Sequence, residues 1–144
     1  MFAAFRKKGF IADIDAKVKE ERTFPFAISI IFYTTGLLIL IFYRIDIISI
    51  AFWFCYISNT VLVLVINKHW KISAHMMGAS GPFAALFFVW GYAALPFIII
   101  MLLIGWARIK LECHNLSQVI AGAAIAFAST YTQIYLITKY FGYA

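Results

Sequence analysis

The sequence predicts an all-α, polytopic transmembrane helical bundle of about five spans, preceded by an N-terminal amphipathic surface helix. Two observations carry this. Of 144 residues, 65% are hydrophobic and 12% charged, far too apolar for a soluble domain of this size. The apolar residues also come in continuous runs of about 20, not in the ten-residue alternation of a membrane barrel. Helices and closed barrels are the structures that satisfy the backbone in lipid, so these runs read as helices.

The elements follow in order. Residues 2–22 are polar, but Phe2, Phe5, Phe10, Ile11, Ile14 and Val18 recur at near-helical spacing among lysines and arginines. That pattern predicts a helix lying on the membrane, with a structureless tail as the alternative. The segment 1–23 is thus a cytoplasmic or surface unit, and 24–144 is the transmembrane domain. No short apolar core precedes a small-residue cleavage site, so no removable signal is expected. The spans are expected at 24–43, 47–66, 72–90, 93–107 and 116–137. Arg44 and Asp46 mark the first turn, Asn67 to Lys71 the second, Gly91-Tyr92 an uncharged third, and Arg108 to Asn115 the fourth. Ala74, Gly78, Gly81 and Ala84 in the third span, and Ala121 to Ala124 in the fifth, suit close helix packing. Pro82 is placed to kink the third span. Cys55 lies in a span and Cys113 in a loop, so no disulfide is expected.

Parity fixes relative sides. The second and fourth turns are separated by two crossings and share one membrane face. With the N-terminus on that face too, 10 of the 12 Lys and Arg residues fall there, leaving Arg44 and Lys139 opposite. The positive-inside rule then makes that face cytoplasmic in a multi-pass cell-membrane protein. The +6 net charge reads as topogenic and not as a nucleic-acid footprint, because half of the basic residues precede the first span.

The histidines stand at the same face. His75 lies one turn into the third span and His114 just before the fifth, with Lys68 and Lys71 near the first and Arg108 near the second. Ionisable groups at membrane depth are costly and point to function. Two imidazoles among three cations suit a phosphate site. One ring attacks phosphorus, the other protonates the leaving oxygen, and the cations hold the equatorial oxygens, with no metal or cofactor required. The bland alternatives are snorkelling lysines, topogenic arginine and lysine, and a belt tryptophan at Trp70. Tyr33, Tyr56, Ser58, Asn59 and Thr60 either line a cleft to this site or make packing hydrogen bonds.

Ile72-Ser73-Ala74-His75 and Ala107-Arg108-Ile-Lys-Leu-Glu-Cys-His114-Asn-Leu-Ser-Gln118, in that order, resemble the second and third motifs of the type 2 phosphatidic acid phosphatase superfamily, over roughly residues 67–127. The resemblance implies a helical bundle with its site at the membrane interface. It implies His114 as nucleophile, passing through phosphohistidine, and His75 as general acid, with Arg108 and Ser73 binding phosphate. The substrate it implies is a lipid phosphate or a polyprenyl phosphate or diphosphate. Departures are specific. The first motif's Arg-Pro is absent, leaving Lys71 or Lys68 to supply its cation. Gln118 stands where an aspartate orients the nucleophile, and Ala107 replaces a serine. Those losses keep a second reading open, a catalytically silent member of the same fold serving as an accessory subunit in an oligomer or membrane complex. A third reading uses His75 and His114 as haem ligands.

Overall fold

The computed structural model describes residues 23–142, and the regular elements among them are all helical. They are α1 (Thr23–Phe42), α2 (Ile47–His69), α3 (Ala74–Trp90), a 3-10 segment (Gly91–Phe97), α4 (Ile98–Lys110) and α5 (Leu116–Phe141). The surface helix expected over 2–22 lies outside the described residues.

Four helical stretches are long and apolar enough to cross a membrane: Phe24–Phe42, Ile47–His69, Ala74–Lys110 and Leu116–Phe141. The expected count of about five is therefore not reached by that measure. The third stretch, of 37 residues, would extend about 55 Å as one straight helix, nearly twice the hydrocarbon thickness. Instead it folds back. Gly91 adopts φ +57°, a region that side chains resist, and the chain turns there. Met76, early in α3, then faces Gly105, late in α4. The two-residue turn expected at Gly91-Tyr92 is in fact the seven-residue 3-10 segment. With no charged side chain and with Pro96 lacking an N–H, local 3-10 bonds keep this apolar backbone satisfied. The helix α3 is unbroken through Pro82.

Each polar turn is closed by local chemistry. At the end of α1, Arg44 adopts φ 51°, its N–H bonds Ile41 O, and the Ile45 N–H reaches back to Leu40 O. These paired bonds form a Schellman closure, with arginine in the place glycine usually takes. Asp46 then caps α2 by accepting from the Ser49 N–H at 2.9 Å. The hairpin is locked by Trp53, whose indole N–H donates to Tyr33 O at 2.8 Å. Its ring occupies the space over Gly36, where a Cβ would lie 2.6 Å from Trp53 Cζ2.

The helix α5 is the central element, packing on α2, α3 and α4. Its small residues meet those of α3: the Ser80 hydroxyl donates to Ala123 O at 2.7 Å, and Gly122 lies against the backbone of Ser73. Without a hydrophobic drive between helices in lipid, such close approach and polar contacts supply the association. Further along, Ser58 donates to Gln133 Oε1 at 2.6 Å and Asn59 Nδ2 to Thr130 Oγ1 at 2.9 Å, joining α2 to α5. Phe127 and Tyr131 of α5 stack with centroids 6.0 Å apart and meet Phe87 of α3. The outer faces of α1 and α4 expose Phe32, Leu38, Leu102 and Leu103, as lipid-facing surfaces do. Cys55 and Cys113 are both free.

Candidate functional site

The fold gathers one end of the bundle: the C-termini of α2 and α4 and the N-termini of α3 and α5. The Ser73 N–H donates to Gln118 O at 3.3 Å, tying the turn before α3 to the first turn of α5. Two polar loops far apart in sequence thereby become one surface.

The helix boundaries differ from those expected in a consistent way. The helix α2 continues to His69, so Lys68 and His69 sit in its last turn and the loop shrinks to residues 70–73. Arg108 and Lys110 likewise end α4 and do not belong to the loop. Cations at helix C-termini complement the dipole, which favours continuing each helix through them. Lys68, His75 and Lys110 are exposed, and Lys71 and Arg108 half-buried.

His114 is buried, at 6% exposure, and held from several sides. The helix α4 ends in a second Schellman closure: Glu112 adopts φ 53°, its N–H bonds Ile109 O, and the Cys113 N–H bonds Arg108 O at 3.1 Å. The His114 N–H adds a bond to the same Arg108 oxygen at 3.2 Å. The backbone of the predicted nucleophile is therefore pinned to the backbone of the predicted phosphate-binding arginine. Asn115 then begins α5 with a capping box. Its Oδ1 accepts from the Gln118 N–H at 2.9 Å, and Gln118 Oε1 accepts from the Asn115 N–H at 3.3 Å.

That box decides the state of the imidazole. Because Gln118 Oε1 faces a backbone N–H, the amide must present its oxygen there and not its nitrogen. The same oxygen lies 3.1 Å from His114 Nδ1. A carbonyl oxygen only accepts, so Nδ1 carries the proton, and the lone pair of the neutral ring resides on Nε2.

Ser73 is fully buried, and its Oγ caps α3 by accepting from the Met76 N–H at 3.4 Å. Its oxygen therefore has a structural task as a helix cap. His75 is the second residue of α3, on the same rim.

A residue outside the expected set also shapes this rim. Asn67, 7% exposed, accepts the Ile72 N–H on its Oδ1 at 3.1 Å and so shapes the turn carrying Lys71 and Ser73. No pattern in the sequence marks this role, because the backbone N–H that Asn67 binds lies five residues on.

Beneath the rim lies a cavity of about 210 Å³ among α1, α2, α3 and α5. It begins beside Ala74, between Ser73 and His75 in the chain, and reaches Tyr33 and Phe52 deeper in the bundle. Tyr33, Tyr56, Asn59 and Thr60 line it, whereas Ser58 turns to Gln133. Among the described residues no three His, Cys, Asp or Glu side chains are grouped as metal ligands would be. Comparison with protein-family models, curated proteins and solved structures finds no match to the chain.

Proposed function

We propose that the protein is a membrane phosphatase that hydrolyses a lipid phosphate or diphosphate through a phosphohistidine at His114. The observation that carries this reading is the Gln118 Oε1 to His114 Nδ1 contact, which leaves the imidazole lone pair on Nε2. An amide oxygen in the orienting position fixes the tautomer as a carboxylate does, though without its charge.

The chemistry runs in two displacements. His114 Nε2 attacks phosphorus as the bond to the lipid oxygen breaks, and His75 in its acid form protonates that oxygen. A water then attacks the phosphohistidine, giving its proton to the now neutral His75, and inorganic phosphate leaves. Arg108, Lys71 and Lys68 hold the equatorial oxygens, where charge gathers in the loose transition state. Ser73 donates its hydroxyl proton to one of them. The N-terminus of α5 beside His114 favours an anion at the same place.

A lipid substrate fits the setting. The rim sits at the end of apolar helices, and the cavity starting at Ala74 has room for part of one hydrocarbon chain. The folded-back α3 and α4 arms support five crossings in place of four, and the excess of lysine and arginine at the rim supports a cytoplasmic site. A cell-membrane location follows from the same reading. The silent accessory-subunit reading draws on two features: the Ser73 oxygen is engaged in a helix cap, and Ala107 brings no hydroxyl.

Phosphate release by purified protein without added metal, on a panel of lipid phosphates and diphosphates, tests the proposal. Release by the wild type and its loss in a folded His114→Ala variant are expected. Silence of the folded wild type across the panel would favour the accessory-subunit reading, as would undiminished release by the variant.

A further inference from the structure

We infer that Asn67 is a further anion-binding residue of this site, its side-chain amide donating to a phosphoryl oxygen. The inference rests on the phosphatase reading above and deepens it.

The orientation of the amide is not free. Asn67 Oδ1 lies 3.1 Å from the Ile72 N–H, which requires an acceptor, so the other terminus is the NH2 group. That Nδ2 is buried and has no hydrogen-bond partner among the described residues. The residue as a whole is only 7% exposed. A buried donor left without an acceptor is unfavourable, and in folded proteins such groups are usually met by a ligand, ion or water.

The place of this donor indicates which. Asn67 stands in the last turn of α2, immediately before Lys68. Its acceptor oxygen holds Ile72, between Lys71 and Ser73, and Ser73 is bonded through its N–H to Gln118 O. Gln118 in turn orients His114. Asn67, which bears the orphaned N–H group, is thus joined through its oxygen to the same end of the bundle that carries Lys71, Ser73 and His114. An anionic oxygen is the acceptor such surroundings favour, and a phosphoryl group has several.

Asn67 thus has two tasks on two atoms, and substitution separates them. Asn67→Asp keeps an oxygen for the Ile72 N–H but replaces the donor by a second oxygen. Asn67→Ser removes the amide NH2 group without adding charge, and with it the Oδ1 bond to the Ile72 N–H, a second loss that the thermal unfolding reports. The probe is inorganic phosphate, titrated into the full-length protein in detergent and read by phosphorus NMR, with thermal unfolding measured on the same samples. For the wild type, saturable phosphate binding is expected. For Asn67→Asp and Asn67→Ser, a loss of about ten- to a hundredfold in affinity is expected, the span of one charge-assisted hydrogen bond. Folded variants that bind phosphate as the wild type does would overturn the inference and leave the phosphatase reading standing. This outcome would assign the amide to an ordered water. A folded wild type that binds no phosphate would overturn both. Should the buried charge of Asn67→Asp unfold the protein, Asn67→Ser decides.

Discussion

Replacing Gly122 by alanine tests how the two halves of the rim are held together. A Cβ at Gly122 would lie 2.8 Å from the carbonyl oxygen of Ser73, 3.3 Å from Met76 Cβ and 3.6 Å from Met77 Cγ. The closest of these is backbone, so no rotamer change relieves the clash, and α5 must move away from the start of α3. Overpacking of this kind costs about 1–3 kcal/mol. Alanine returns up to about 1 kcal/mol of helix propensity over glycine. The net expectation is a loss of up to about 2 kcal/mol. Gly78→Ala is the matched control, since no atom lies within 4 Å of the place its methyl would take and only the propensity gain applies. Reversible unfolding of the two variants in mixed detergent micelles measures the difference. The displacement also stretches the Ser73 N–H to Gln118 O bond of 3.3 Å, so phosphate release should fall in Gly122→Ala and persist in Gly78→Ala. Equal stability of the two variants would refute the claim that the Gly122 contact sets the spacing of α3 and α5.

Other substitutions probe single elements. Gln118→Leu removes the oxygen shared by the Asn115 N–H and His114 Nδ1; phosphate release should fall about 100-fold or more, as for a wrongly held imidazole tautomer, while Gln118→Glu should retain activity. Glu112→Gly relieves the left-handed conformation before His114 and should stabilise the fold by about 0.5–1 kcal/mol in the same unfolding assay. Asp46→Ala removes the cap of α2 and should cost about 1 kcal/mol. Hydrogen bonds from Ser49, side chain first and backbone second, hold the Asp46 carboxyl below its ordinary range. A carboxyl depressed on folding contributes stability above its unfolded pKa and loses it as pH falls through the folded value. The unfolding midpoint should therefore drop in acid below about pH 4, and less so in Asp46→Asn.

The helical class and the main apolar segments were legible because lipid leaves the backbone few choices, and long apolar runs declare themselves. The meeting of α3 with α5 was legible from Gly78 to Ala84 and Ala121 to Ala124, since small residues gain in lipid by allowing close approach. The ends were not. Lys68 and Arg108 read as loop residues because charge marks turns, yet both continue their helices, where a cation meets the C-terminal dipole. Gly91 announced a turn, but the seven-residue 3-10 segment depends on backbone bonding that no side chain in 91–97 signals. Arg44 and Glu112 hold left-handed positions that sequence rules reserve for glycine, and their closures rest on backbone bonds to residues 40–41 and 108–109. Within the site, the spacing from His114 to Gln118 is one helical turn, so their contact was readable. The capping box that fixes which atom of Gln118 faces the ring was not, because it depends on the backbone of Asn115. Asn67 was passed over because its task is to bind a backbone N–H five residues on.

Trapping the phosphoenzyme tests whether His114 carries the phosphoryl group. Protein turning over a labelled lipid phosphate, quenched rapidly in alkali to preserve phosphohistidine, is digested and its labelled peptide sequenced by mass spectrometry. One acid-labile label is expected, on Nε2 of His114 and absent from His114→Ala. A label on another residue, or steady turnover with no labelled protein at any quench time, would contradict it.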